Sequence, residues 1–148
     1  ASPSESSFSA AARFRKGLQM DLPSGFVKVR ETEGLTRAMS GSGVTLLIRR
    51  EGNFEGGTME FWGPIIRRWL TGSQVIAIGE TKELALDTGP KGILLEGDKT
   101  LGRATFRYLL FTVASRKFVY TVECWGPAEE VAKQREAVVK ACQSMKIK

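Results

Sequence analysis

The chain has 148 residues, of which 42% are hydrophobic and 26% are charged, and its formal net charge is +6. This length and composition predict one globular domain with its own core, and no apolar run approaches the roughly 20 residues that a membrane-spanning helix needs. Histidine is absent, which excludes Ser-His and Cys-His nucleophile systems.

The first ten residues are predicted to form a disordered tether. Residues 1–7 are small and polar, and the sequence opens on Ala1 rather than on Met. Such a composition is typical of a linker. We interpret it as the processed start of an exported protein, with a lipid anchor upstream of residue 1 as one form of this. The alternative is a trimmed intracellular protein. Residues 11–148 are predicted to form a single domain.

Four strands are predicted in the first third of the domain. A short alternating run at 17–22 is stopped by Pro23, and Ser24-Gly25 then make a turn. Strands follow at 26–30, 35–39 and 44–50, and the short glycine-containing connections between them predict hairpins.

An amphipathic helix is predicted between Met59 and Leu70. Its apolar residues recur at helical spacing on one face, which predicts that this face packs on a sheet. For Trp62 and Trp69, which belong to this stripe, a place in the core is favoured over a ligand-binding role.

The segment from Gln74 to Lys99 is predicted to be strand-rich. Strand-like material at 74–86 is interrupted near Gly79, and Ile93–Glu96 resumes as a strand. The residues Gly97-Asp98-Lys99 are predicted to turn the chain, since glycine and aspartate are common turn residues.

The last third of the chain is predicted to form a β-hairpin followed by a helix. Residues 102–125 alternate and divide at Ser115-Arg116-Lys117, and 126–148 show helical spacing. In the second strand, the face bearing Phe118, Tyr120, Val122 and Cys124 is predicted to be buried. The helix is predicted to cover the sheet, and Arg135 within its apolar arc is predicted to extend to water rather than to pair with a carboxylate.

Cysteines and acids offer few catalytic candidates. Cys124 and Cys142 are predicted to be buried free thiols, too far apart for a disulfide. Acids cluster at 80–87 and 96–98, where we expect solvated side chains. A carboxylate-dependent hydrolase stays as an alternative that needs two acids converging in a cleft. No catalytic residue, metal site or cofactor site is predicted.

Tryptophans and arginines provide the candidate partner-binding residues. The basic residues are scattered rather than arranged in a stripe with aromatics, so no nucleic-acid partner is predicted. A groove lined by Trp62 and Trp69 with Arg67 and Arg68 would suit an anionic or amphipathic partner, and Trp125 is predicted to be partly exposed.

The order of elements resembles the PsbP/DcrB-like superfamily. The matching features are Leu22-Pro23 followed by Gly25-Phe26, the helix around 59–71, and residues 118–122 before a terminal helix that ends at 144–147. The resemblance spans nearly the whole chain. It implies an α+β fold, an α/β/α sandwich around an antiparallel sheet, and a non-catalytic binding or scaffolding role.

These observations predict an exported protein of the periplasm or cell envelope that acts through protein–protein contacts. An intracellular adaptor of the same fold is the alternative. The sequence predicts a protein partner without identifying it.

Overall fold

The computed structural model describes residues 11–14, 18–72 and 76–147, with side chains from Met20 onward. The predicted tether at 1–10 lies outside these residues. The elements of the described residues, in chain order, are strands β1 (Ala11–Phe14), β2 (Leu18–Asp21), β3 (Phe26–Thr32), β4 (Leu35–Ser40) and β5 (Thr45–Gly52), helix α1 (Met59–Gly72), strands β6 (Ala77–Ala85), β7 (Lys91–Leu101), β8 (Ala104–Ala114) and β9 (Phe118–Pro127), helix α2 (Ala128–Gln143) and strand β10 (Lys146–Ile147).

The main sheet is antiparallel throughout and has seven strands in the order β3-β4-β5-β9-β8-β7-β6. A small second sheet joins β1, β2 and β10. Helix α2 contacts β8 and β9, and α1 contacts β7 and β8. The predicted α+β class, with the C-terminal helix packed on an antiparallel sheet, is confirmed. None of the helices in the described residues is long and apolar enough to cross a membrane.

The larger core lies between the sheet and α2. Because side chains alternate along a strand, Tyr120, Val122 and Cys124 point to the same face, and all three are buried there. Helix α2 contributes Val131 and Val138 to the same core. The predicted burial is therefore confirmed for these three residues, whereas Phe118 on the same face is half-buried, and Val119 and Glu123 on the opposite face are buried as well.

A smaller core lies on the opposite face, under α1. It contains Leu70, Ile76, Leu95, Tyr108 and Leu110. These residues come from α1, the segment after it, β7 and β8. Since α1 contacts β7 and β8, the neighbouring strands β9 and β5 face a groove beside the helix.

The predicted turn at Gly97-Asp98-Lys99 is wrong, because β7 continues through these residues to Leu101. The strand needs a glycine here for a packing reason. A Cβ at Gly97 would lie 2.3 Å from the carbonyl oxygen of Ala77, where β6 has a bulge between Ile78 and Glu80. The interruption predicted near Gly79 is this bulge, and the strand passes through it. A second bulge interrupts β3 between Lys28 and Arg30.

The prediction for Arg135 is also wrong, because its guanidinium pairs with Glu96. Nε donates a hydrogen bond to Glu96 Oε1 at 2.8 Å, and Nη2 donates to the same oxygen. Only 8% of Glu96 is exposed, and a buried carboxylate needs a partner. The hydrogen bond to Glu96 raises the pKa of Arg135, so the guanidinium stays charged.

Both cysteines are free and buried, as predicted. Burial raises the pKa of Cys124 to about 12. Burial also raises the pKa of Cys142, and the nearby Cys124 adds to that shift. The two thiols therefore remain protonated at neutral pH and act as small apolar groups in the α2-side core.

Candidate partner-binding groove

A groove runs between α1 and the exposed part of the sheet, and we divide it into two bays. The first bay encloses about 300 Å³ between α1 and strands β5, β8 and β9. The second encloses about 520 Å³ beyond the C-terminal end of α1. Trp69, Arg49 and Glu123 line both bays, so the bays meet at these three side chains.

The helical wall of the first bay is formed by the apolar stripe of α1. Of the 14 residues in this helix, Gly63 and Leu70 are buried, whereas Ile65 and Trp69 are 38% and 36% exposed. The predicted core role of Trp62 and Trp69 is therefore only partly met: Trp62 is half-buried, and both tryptophans line the first bay.

Helix α1 approaches the sheet closely at Gly63. A Cβ at this position would lie 2.7 Å from Cδ1 of Ile93. The contact draws the helix over β7 and leaves the sheet open toward β5. The sequence pattern shows the apolar stripe but does not show which part of it the sheet covers.

The buried side chain of Asn53 fixes Trp62 in the wall. Its Oδ1 accepts hydrogen bonds from the backbone of Gly57 at 2.9 Å and from Trp62 Nε1 at 3.2 Å. Its Nδ2 donates to the carbonyl oxygens of Gly57 and Ser115, each at 2.8 Å. Asn53 therefore joins the loop after β5, the β8–β9 turn and the indole of Trp62.

We expect Asn53→Ala to lower the free energy of unfolding by about 2 kcal/mol, because buried donors and acceptors lose their partners. Asn53→Asp keeps the acceptor for Trp62 but loses both donated hydrogen bonds. Chemical denaturation measures the stability, and tryptophan fluorescence reports the environment of the Trp62 indole. An Asn53→Ala protein with unchanged stability and emission would contradict this role.

The floor of the groove contains a buried carboxylate. Glu123 is 3% exposed, and its Oε1 accepts a hydrogen bond from the hydroxyl of Tyr108. Its Oε2 lies 3.7 Å from Nη2 of Arg49. Burial raises the pKa of Glu123 above its ordinary value of 4.5, and the positive charge of Arg49 opposes part of this shift.

The raised pKa of Glu123 predicts a pH-dependent stability. Between pH 4.5 and the raised pKa, the folded protein holds a proton that the unfolded chain has lost. The free energy of unfolding should therefore fall as pH rises through this interval. Glu123→Gln removes the titration, so the stability of the wild type relative to this variant should fall with rising pH.

Urea denaturation over a pH series measures this difference. Arg49→Met provides the comparison, because without the opposing charge the interval should extend to higher pH. If the free energies of unfolding of the wild type and Glu123→Gln changed in parallel with pH, Glu123 would have the same pKa in the folded and unfolded states. That result would contradict the prediction.

The second bay is walled by aromatic and aliphatic side chains. Tyr108 and Trp125 stack across β8 and β9, with ring centroids 5.9 Å apart and planes 10° apart. Trp125 is half-buried, in agreement with its predicted partial exposure, and Leu101 is 58% exposed. Lys99 also lines this bay.

The structure brings three of the five predicted binding residues to the groove. Trp62 and Trp69 line the first bay, and Trp69 and Trp125 line the second. Arg67 instead donates a hydrogen bond to Thr81 of β6. Arg68 is exposed and lines neither bay.

Sequence reasoning missed the two charged residues that line both bays, Arg49 and Glu123. They lie on adjacent strands, β5 and β9, on the face that α1 leaves open. The available signal was Glu123 itself, a charged residue on the less apolar side of a strongly apolar strand.

Several acids singled out in the sequence form ion pairs away from the groove. Glu96 pairs with Arg135, and Asp98 Oδ1 lies 2.5 Å from Nε of Arg107. Glu83 lies 3.6 Å from Lys91. Among the residues that the structure describes, no three or more histidine, cysteine, aspartate or glutamate side chains group in a way that could hold a metal ion.

The architecture is that of a PsbP-like α+β sandwich, and three solved structures share it. Cyanobacterial PsbP (CyanoP) from Synechocystis sp. PCC 6803 has a TM-score of 0.68 at 11% identity, covering 95% of this chain and 94% of CyanoP. A protein of unknown function, PA94 from Pseudomonas aeruginosa, has a TM-score of 0.58 at 12% identity, with coverages of 91% and 94%.

The third structure is a protein from Bacteroides thetaiotaomicron, with a TM-score of 0.56 at 10% identity. It matches 88% of this chain and 45% of its own length. No family model matches the sequence, and no curated protein matches it. At such low identity the three structures establish a common fold only.

Proposed function

We propose that the protein is a non-catalytic binding protein that engages a protein partner through the groove between α1 and the sheet. The observation that carries this proposal is the exposure of Trp69 on the apolar stripe of α1, at the place where the two bays meet. A tryptophan left 36% exposed between two apolar bays offers a large contact area to a partner. Aromatic residues are enriched at the centres of protein interfaces.

The remaining geometry supports binding more than catalysis. The polar floor is one carboxylate, Glu123, already engaged by Tyr108 and Arg49. The other acid of the first bay, Glu51, is exposed. Apolar walls with a few polar groups on the floor are typical of a recognition site.

Affinity capture with the full-length protein tests the proposal. The wild type and the variant Trp62→Ala/Trp69→Ala are used as baits in extracts of the source cells, and Phe54→Ala serves as the control. Phe54 is 99% exposed and lines neither bay. We expect the double variant to lose partners that the wild type and the control retain. Equal recovery by all three baits would contradict a role for the groove.

The double variant is first checked for folding, because Trp62 accounts for one of the contacts of Asn53. Circular dichroism and thermal denaturation suffice for this purpose. Trp69→Ala alone provides a second bait if the double variant is unstable, since Trp69 forms none of these hydrogen bonds.

We further propose that the protein acts in the cell envelope, as an exported or lipid-anchored member of the PsbP/DcrB-like group. The support is the resemblance in element order, together with the linker-like composition of residues 1–7. Immunoblotting of periplasmic, membrane and cytoplasmic fractions of the source cells tests the location. Recovery in the cytoplasmic fraction would favour an intracellular adaptor.

A further inference from the structure

Two cationic side chains of the groove, Arg49 and Lys99, have donors for which the described residues supply no hydrogen-bond acceptor. Nε of Arg49 is buried without a hydrogen-bond partner in the described part of the chain. Nη2 of the same side chain lies 3.7 Å from Oε2 of Glu123, beyond hydrogen-bond distance, and 35% of the Arg49 side chain is exposed. Lys99, which lines the second bay, forms no ion pair with any described residue.

Three of the lysines outside the groove form ion pairs, whereas Lys82, Lys117, Lys140 and Lys146 form none with the described residues, so what distinguishes Lys99 is its place in the second bay. Ion pairs join lysine and glutamate side chains at 3.4–3.6 Å, and they involve Lys28, Lys91 and Lys133. These three lie outside the two bays of the groove. The second bay has two cationic side chains, Arg49 and Lys99, and one acidic side chain, Glu123, so its positive charge is not fully matched by the residues that line it.

Resting on the proposed function, we infer that the groove binds a partner segment in which an aspartate or glutamate is flanked by bulky apolar side chains. The carboxylate accepts hydrogen bonds from Arg49 and Lys99. The apolar side chains enter the two bays on either side of Trp69. Charge-assisted hydrogen bonds of this kind are among the stronger polar contacts in proteins.

The open form of the groove favours a peptide over a fatty acid as the source of the carboxylate. Ile65, Trp69 and Leu101 remain 38%, 36% and 58% exposed, so the groove is a trough with one side in water. A hydrocarbon chain would keep part of its surface in water there. A peptide can place its backbone on that side and direct only selected side chains into the bays.

A random peptide library displayed on phage and selected on the folded full-length chain provides the first test. We expect the selected peptides to be enriched in an acidic residue between bulky apolar residues. Enrichment of apolar peptides without acids, or with basic residues, would overturn the inference. The proposed function would stand in that case if the same peptides failed to bind Trp69→Ala.

Synthetic versions of a selected peptide provide the quantitative test. The acidic peptide and its amide counterpart are titrated against the wild type, Lys99→Met and Arg49→Lys. Lys82→Met is the control variant, because Lys82 is an exposed lysine on the outer strand β6. We expect Lys99→Met to weaken the acidic peptide about tenfold and to leave the amide peptide unchanged. Arg49→Lys keeps the charge but not the planar donor group, and should weaken the acidic peptide as well.

The remaining outcomes overturn the inference. Equal losses for the acidic and amide peptides would show that Lys99 acts through packing and not through charge. Tighter binding of laurate than of any selected peptide would assign the groove to a lipid-derived anion. The failure of the proposed function itself is separate, and is seen as retention of natural partners by Trp62→Ala/Trp69→Ala.

Discussion

Phe111→Ala is expected to lower the free energy of unfolding by about 3–5 kcal/mol, the usual range when a fully buried phenylalanine is truncated. Phe111 is 1% exposed and lies in the core between the sheet and α2. On β8 it is paired with Val122 of β9 and Leu94 of β7. Its ring also occupies the space over Gly92, where an added Cβ would lie 2.8 Å from Cε1. Urea denaturation at neutral pH measures the loss.

Phe54→Ala is the matched control, since the same side chain is removed from a position that is 99% exposed. A surface substitution of this kind should change stability by no more than about 0.5 kcal/mol. Similar losses in the two variants would mean that Phe111 is not part of a tightly packed core.

Gly97→Ala is expected to lower the free energy of unfolding by about 3 kcal/mol, at the upper end of the usual cost of overpacking. The added methyl group would meet the carbonyl oxygen of Ala77 at 2.3 Å and Cγ2 of Ile76 at 2.7 Å. A backbone oxygen cannot rotate aside as a flexible side chain can, so β6 would have to move away from β7.

Gly41→Ala provides the comparison for this variant. Gly41 is exposed, and an added Cβ would have no heavy atom within 4 Å. The change should alter stability by no more than about 0.5 kcal/mol. Thermal denaturation of both variants measures the difference, and equal melting temperatures would contradict the close approach of β6 to β7 at Gly97.

The elements that could be predicted from the sequence are those in which apolar residues recur at a regular local spacing. The hairpin of β8 and β9 alternates apolar and polar residues on either side of a polar turn. Burial of Tyr120, Val122 and Cys124 followed from that alternation and is confirmed by the structure. Helix α2 follows the hairpin directly, so its packing on the same face required no long-range information.

The errors concern residues whose role depends on a distant part of the chain. Gly97 has the composition of a turn, but it is required by the bulge of β6 on the neighbouring strand. Arg135 finds its carboxylate on β7, 39 residues away in sequence. Local patterns carry no information about either pairing.

The groove was predictable only in part for the same reason. The tryptophans of α1 stand out in the sequence, and the structure places both in the first bay. Arg67 and Arg68 immediately precede Trp69 in sequence, but neither lines the bays. Arg49 belongs to β5, and only the pairing of β5 with β9 brings it to Glu123.

The bulges in β3 and β6 affect how this protein can associate with other protein molecules. These are the two outermost strands of the main sheet, and each has a bulge and exposed charged side chains, among them Arg30 on β3 and Lys82 on β6. Such borders resist the addition of a foreign strand. Neighbouring copies of this protein should therefore not join edge to edge through their main sheets, which leaves the trough beside α1 as the proposed place of selective association.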